Sequence, residues 1–256
     1  MSPHIVRITT AGFVLAALLS TTVVGTTIVG LRRKAAVIIT ADSKANYRGR
    51  AGASEVCKIL RTGQTYFAIA GLDHDVLRGT FFQQTIADAF QDIDPFATRI
   101  EKVERALKAD VLREMIAVQQ QDPETYEWIR KDSPNVLSVL LADFENGQPH
   151  LAARAFEFVP GSTPDVRVAN CDFLTSPGFC YMGKSPEGIH NFGEILKLDP
   201  TDPIEATRKL VEKEIHDFPN DVGPPITTIV LDENGMRMIP PIGACPIDVS
   251  RTKKSD

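Results

Sequence analysis

Gly25-Thr26-Thr27-Ile28-Val29-Gly30-Leu31-Arg32-Arg33-Lys34-Ala35-Ala36-Val37-Ile38-Ile39-Thr40-Ala41-Asp42 decides how the chain is read. Two runs rich in β-branched and apolar residues, 26–31 and 35–41, flank the basic turn Arg32-Arg33-Lys34, and the simplest structure for that pattern is a hairpin. A polar, glycine-containing stretch follows at 42–54. Two more strands are expected at 56–60 and 66–70, separated by the turn Arg61-Thr62-Gly63-Gln64 and ended by Gly71. The region after Gly25 therefore reads as antiparallel sheet.

Working outward, the pattern changes to helix. Residues 75–91 mix apolar and polar side chains without proline. In 97–118, Ile100, Val103, Leu107, Val111 and Leu112 recur at spacings near three and four, which puts them on one helix face. A short helix is expected at 123–131. Strands return at 136–144 and 150–158, joined by Glu145-Asn146-Gly147-Gln148, whose Asn-Gly is a strong hairpin signal. Residues 159–177 read as a loop excursion, and 179–182 as a short apolar stretch leading into Gly183-Lys184-Ser185. Asp202-Pro203 opens a helix with Ile204, Ala206, Leu210, Val211 and Ile215 on its apolar side. A last hairpin, 226–231 and 236–239, turns at Asp232-Glu233-Asn234-Gly235. Strands, two long helices, strands, helix, strands is the order of an α+β four-layer α/β/β/α sandwich, two antiparallel sheets packed face to face with helices outside. No βαβ alternation suggests a parallel doubly wound sheet, and no Gly-rich phosphate loop follows a strand.

With 256 residues, 43% hydrophobic and 24% charged, the chain can build one substantial core. A net charge of −5 argues against nucleic acid or an anionic membrane as partner. Residues 1–25 differ from the rest: Arg7, the apolar run 12–19 and the small-residue ending Val23-Val24-Gly25 have the order of an export signal. The other readings are an apolar pro-segment and an uncleaved tethering helix. The expected division is thus 1–25 removed, 26–245 one domain, and 246–256 a polar, frayed tail. After processing, no stable membrane span is expected. The product is periplasmic or secreted if 1–25 is a signal, and cytoplasmic otherwise. Cys171 and Cys180 flank a short Ser/Pro/Gly loop and form either a disulfide, if the protein is exported, or two buried thiols.

The chemistry concentrates on a spacing. Asp42 lies sixteen residues after Thr26, Lys58 sixteen after Asp42, and Gly71 follows in Ala70-Gly71-Leu72. Singly, each has an ordinary explanation: a strand-start threonine, a turn-capping aspartate, a solvated lysine, a strand-ending glycine. Jointly, the pattern resembles the β subunits of proteasomes and their bacterial relatives, which are N-terminal nucleophile hydrolases. Gly25-Thr26-Thr27 is similar to the family's processing site, and Ala41-Asp42-Ser43-Lys44-Ala45 to its segment after the second strand. Lys58 matches the family lysine without a gap, and Gly71 matches the oxyanion glycine after shortening one hairpin by one residue.

The resemblance implies a threonine-type hydrolase that cleaves peptide bonds, without a cofactor. Thr26 would be the nucleophile once its α-amine is free, because a threonine hydroxyl needs a base and an amide nitrogen cannot serve. Lys58 would favour the alkoxide and disfavour a protonated amine. Asp42 would keep Lys58 charged and aimed, and the Gly71 N–H would face the oxyanion. The resemblance also implies that Ala45, Val56 and Ile69 line an apolar substrate pocket, and that the protein forms a homo-oligomer, as a ring or a smaller assembly. Where the family carries serines, the chain departs from it: Gly183-Lys184-Ser185 places serine one position late, and Asn220-Asp221-Val222-Gly223 has valine. Ser185 and Asp221 are the expected supports there. Other readings are a hydrolase of small amides and a silent structural subunit. Asp73-His74-Asp75 reads as a helix cap rather than a metal site, and Cys57 as a second, weaker nucleophile.

Overall fold

The computed structural model describes residues 15–18, 26–47, 50–55, 57–71, 82–90, 94–132, 135–184, 202–239 and 247–249. In chain order the first strands are β1 (Leu15–Leu18), β2 (Ile28–Arg32), β3 (Ala36–Ala41), β4 (Lys44–Tyr47), β5 (Arg50–Glu55), β6 (Ile59–Thr62) and β7 (Thr65–Gly71). Helices α1 (Phe82–Ala89), α2 (Phe96–Gln121) and α3 (Pro123–Asp132) follow. Next come β8 (Asn135–Glu145), β9 (Gln148–Val159), β10 (Asp165–Phe173) and β11 (Gly178–Met182). The described chain closes with α4 (Pro203–Asp217), β12 (Thr227–Asp232), β13 (Gly235–Ile239) and β14 (Ile247–Asp248).

The opening hairpin forms as its composition dictates, with Ile28 opposite Ala41 and Arg32 opposite Val37. Both faces of these strands are covered, so their residues run apolar without a polar alternate. Side chains on alternate sides enter different layers. Ile28, Val37 and Ile39 meet Leu140, Leu151 and Ala153 of the facing sheet. Val29, Leu31 and Ile38 meet Ala206, Leu210 and Val211 of α4. One sheet has the order β1-β11-β2-β3-β12-β13 and the other β10-β9-β8-β7-β6-β14. Helices α1–α3 cover the second sheet with Ile86, Ile100, Val103, Leu107 and Val111 against Phe67, Leu141 and Phe156. The molecule is the expected α+β sandwich of four layers; among the described residues, parallel pairing occurs only where β1 joins β11 and β14 joins β6.

Several elements differ from expectation. The third strand begins at Ile59 and runs through Thr62, so the turn tightens to Gly63-Gln64 and Lys58 precedes the strand instead of lying inside it. The polar stretch after Asp42 forms the two-stranded ribbon β4–β5. Within the expected excursion, β10 pairs with β9 along its whole length. Ile247 and Asp248, assigned to a frayed tail, pair with Leu60 and Arg61 beside the site, and Val249 is buried. Leu15–Leu18, inside the apolar run at the N-terminus, lie along the edge of β11.

Candidate active site

Thr26 and Thr27 lead directly into β2, and the ladder between β2 and β3 extends one step when the Asp42 amide donates to the Thr27 carbonyl at 3.1 Å. That step places the Asp42 carboxylate beneath the start of β2. Its Oδ1 accepts from the Thr27 amide at 2.8 Å and from Lys58 Nζ at 2.7 Å. Its Oδ2 accepts from the Lys44 amide at 3.1 Å and the Gly223 amide at 3.3 Å. Asp42 is fully buried, and an ion there is tolerable only because three backbone donors and the charged donor Lys58 replace its lost water.

Lys58, held at the entrance to β6, is 8% exposed, and its Nζ donates to Thr26 Oγ1 at 3.0 Å. The sequence spacing thus becomes a chain of contacts: Asp42 fixes Lys58, and Lys58 touches the Thr26 hydroxyl. A fixed ammonium beside a hydroxyl stabilises the alkoxide more than the neutral form, and does so strongly where water is excluded.

Gly223 is a member of the site that the sequence reading passed over. Its amide reaches Asp42, its carbonyl accepts from the Ser43 amide at 3.1 Å, and a Cβ there would stand 2.9 Å from Lys44 Cδ. The Lys44 ammonium in turn donates to the Pro219 carbonyl at 2.6 Å, closing the 219–223 turn against β4. Asp221 forms an ion pair with Lys184 at 2.6 Å, and Val222, where the resemblance expects serine, is fully buried. Glu214 is a further missed residue. It lies seven residues after Thr207 on the buried face of α4, and its carboxylate accepts from Tyr181 Oη at 2.6 Å and from the Lys184 amide at 3.1 Å. The Thr27 hydroxyl stands 3.5 Å from its Oε2. The signal available in the sequence was a glutamate in register with an otherwise buried helix stripe.

Gly71 closes β7 opposite Leu137 with φ of +95°. One step beyond the Ile59–Ala68 pair the register puts Lys58 beside Ile69, so Gly71 and Lys58 share one end of the sheet. Ile69 is 9% exposed and packs with the helix-side core, among Leu60, Phe82 and Val136. Ala45 lies in β4, but its side chain is outside the described residues, as are Gly25, Val56, Ser185 and the Asp73-His74-Asp75 triplet. Cys57, weighed as a second nucleophile, is disulfide-bonded and so carries no thiolate to attack with.

Cys171 and Cys180 form a disulfide with Cα atoms 6.0 Å apart, tying β10 of one sheet to β11 of the other. Closing a loop of about ten residues restricts the unfolded chain by about 2.5 kcal/mol. The double variant Cys171→Ala/Cys180→Ala is expected to melt about 5–10 °C lower by differential scanning calorimetry. Equal melting temperatures would show that the bond contributes nothing.

No family model matches the chain, and no curated protein matches it. Among solved structures, Thiobacillus denitrificans BPH in complex with epoxomicin aligns at 18% identity and a TM-score of 0.48, covering 80% of this chain and 98% of that one. Thiobacillus denitrificans BPH alone aligns at 20% identity and a TM-score of 0.46, covering 80% of this chain and 97% of the other.

Proposed function

We propose that the chain is a threonine-type hydrolase acting on peptide bonds, with Thr26 as nucleophile after removal of residues 1–25. The observation that carries this reading is the buried relay Asp42–Lys58–Thr26, with contacts of 2.7 and 3.0 Å. A lysine is costly to bury, and here both its cost and its counter-ion are arranged around one hydroxyl.

In the proposed reaction Thr26 Oγ attacks the scissile carbonyl carbon while its proton passes to the Thr26 α-amine. The carbonyl oxygen becomes an oxyanion facing the Gly71 amide. Collapse breaks the C–N bond, the amine product takes the proton back from the α-ammonium, and an ester on Thr26 remains. Water, losing its proton to the same amine, then hydrolyses the ester. Lys58 stays charged throughout and lowers the energy of the developing alkoxide. A chain that keeps residues 1–25 has an amide at Thr26 and lacks the base. Removal of that segment is therefore the activation step, by signal peptidase or by attack of Thr26 on the Gly25 carbonyl. The Cys171–Cys180 disulfide supports an oxidising compartment, and with it export, as the destination.

The test is intact mass and N-terminal sequencing of the purified protein beside Thr26→Ala and Lys58→Ala. The expected result is a wild type beginning at Thr26. Retention of residues 1–25 by both variants would assign the cut to the site itself. A full-length wild type that still hydrolyses peptides would remove the α-amine mechanism.

A further inference from the structure

We propose that Glu214, with Lys184 and Asp221, sets the basicity of the Thr26 α-amine. The inference rests on the Thr26 reading above and adds a tuning group to it. Glu214 is 1% exposed and lies in the last turn of α4. Burial there takes the carboxylate out of water, so it must find its donors within the fold. The fold holds it with the Tyr181 hydroxyl and the Lys184 amide, and points it at the Thr27 hydroxyl. Upstream on the same face, Thr207 bonds Thr40 at 2.7 Å, so the helix that carries Glu214 is keyed to β3 and cannot slide.

Covalent reach fixes the scale. From Glu214 Oε2 through the 3.5 Å contact to Thr27 Oγ1, and back one residue, the Thr26 nitrogen is no more than about 11 Å away. Among the described residues, the charged groups linked by contacts to Thr26, Thr27 or Glu214 are the Lys58–Asp42 pair and the Lys184–Asp221 pair, with the Tyr181 phenol on Glu214 and the Lys44 ammonium turned to the Pro219 carbonyl. Lys213, His216 and Asp217 lie on the outer side of α4. A negative charge at the reach of Glu214 favours the protonated amine by about half to one pH unit at an effective dielectric of 20–40, and a positive charge acts in the opposite direction.

Glutamate thus keeps the amine basic enough to take the threonine proton in a site that Lys58 would otherwise make too acidic. Glu214 is a positioning and tuning residue: it touches neither substrate nor the reacting oxygen, and acts through the Thr26–Thr27 backbone. Lys184 acts in the opposite sense, with Asp221 offsetting it.

The experiment is the pH dependence of kcat/KM for the processed protein on a panel of fluorogenic peptide amides, comparing wild type, Thr26→Ala, Glu214→Gln and Lys184→Met. Glu214→Gln is expected to move the acidic limb down by about half to one pH unit, and Lys184→Met to move it up. Limbs unmoved in both variants, with wild type active and Thr26→Ala silent, would overturn the role of Glu214 and leave the Thr26 reading standing. Wild type no more active than Thr26→Ala would instead overturn the Thr26 reading. If Glu214→Gln does not fold, the half-exposed Lys184→Met carries the test: an upward shift supports the proposal, and an unmoved limb ends it.

Discussion

Lys58→Ala is expected to lower kcat/KM on peptides by at least about 10³-fold and to destabilise the protein by about 3 kcal/mol. Two separate consequences follow from one deletion, because Nζ contacts Thr26 Oγ1 at 3.0 Å and Asp42 Oδ1 at 2.7 Å. The first contact supplies charge to the proposed nucleophile, and the second compensates a carboxylate that is fully buried. Without the lysine, Asp42 keeps its backbone donors from Thr27, Lys44 and Gly223 but loses its counter-ion. The double variant Asp42→Asn/Lys58→Met separates the effects. Removing both charges recovers part of the stability, since an absent pair costs less than half a pair, although the amide nitrogen introduced at position 42 then meets a backbone N–H that the carboxylate accepted, while activity stays low. Lys58→Arg keeps the charge but replaces a compact ammonium with a planar fork, and is expected to fold while losing most activity. Chemical denaturation and peptide hydrolysis on the four proteins check this. Full activity in Lys58→Ala would show that the lysine is structural only.

The parts of this arrangement that the sequence exposed are those written in β-branched residues and fixed spacing. The strands 28–31 and 36–41 are almost wholly apolar because both their faces are covered, and two such runs around a basic turn mark a buried hairpin. The spacing of Thr26, Asp42 and Lys58 was legible because each residue stands at a strand end, where side chains from different strands converge. What was not legible depends on tertiary partners. The β4–β5 ribbon, Lys-Ala-Asn-Tyr and Arg-Ala-Gly-Ala-Ser-Glu, carries no apolar alternation to read. In β10 Val166 faces the helices and Cys171 and Phe173 face the other sheet; Asn170 and Asp172 between them read as loop by composition, yet pairing with β9 overrides that preference. On α4, Ile204 and Ile215 pack against the apolar core as expected, while the fully buried positions also include Thr207 and Glu214. A helix stripe counted by hydrophobicity passes over a buried glutamate, because nothing local says that a tyrosine, a lysine amide and a threonine will meet it.

Gly71→Ala is expected to lower kcat by about 10²–10³-fold with little change in KM, and to cost about 2–4 kcal/mol of stability. The two effects share a residue and have different causes. At φ of +95° an L side chain is strained, and a Cβ would stand 2.5 Å from the Val136 carbonyl oxygen. The backbone must then shift at the end of β7, and with it the N–H that faces the proposed oxyanion. Strain alone would lower stability without selectively affecting the chemical step. Gly147→Ala separates the two: its φ is +74°, a Cβ there meets nothing within 4 Å, and it lies in the β8–β9 turn. That variant should lose stability from conformation alone, about 1 kcal/mol, and keep its kcat. If folded Gly71→Ala, assayed well below its melting temperature, turned over peptides as fast as Gly147→Ala, the amide at Gly71 would have no part in stabilising the transition state. A loss confined to kcat in Gly71→Ala would place that N–H where negative charge develops, on the sheet end it shares with Lys58.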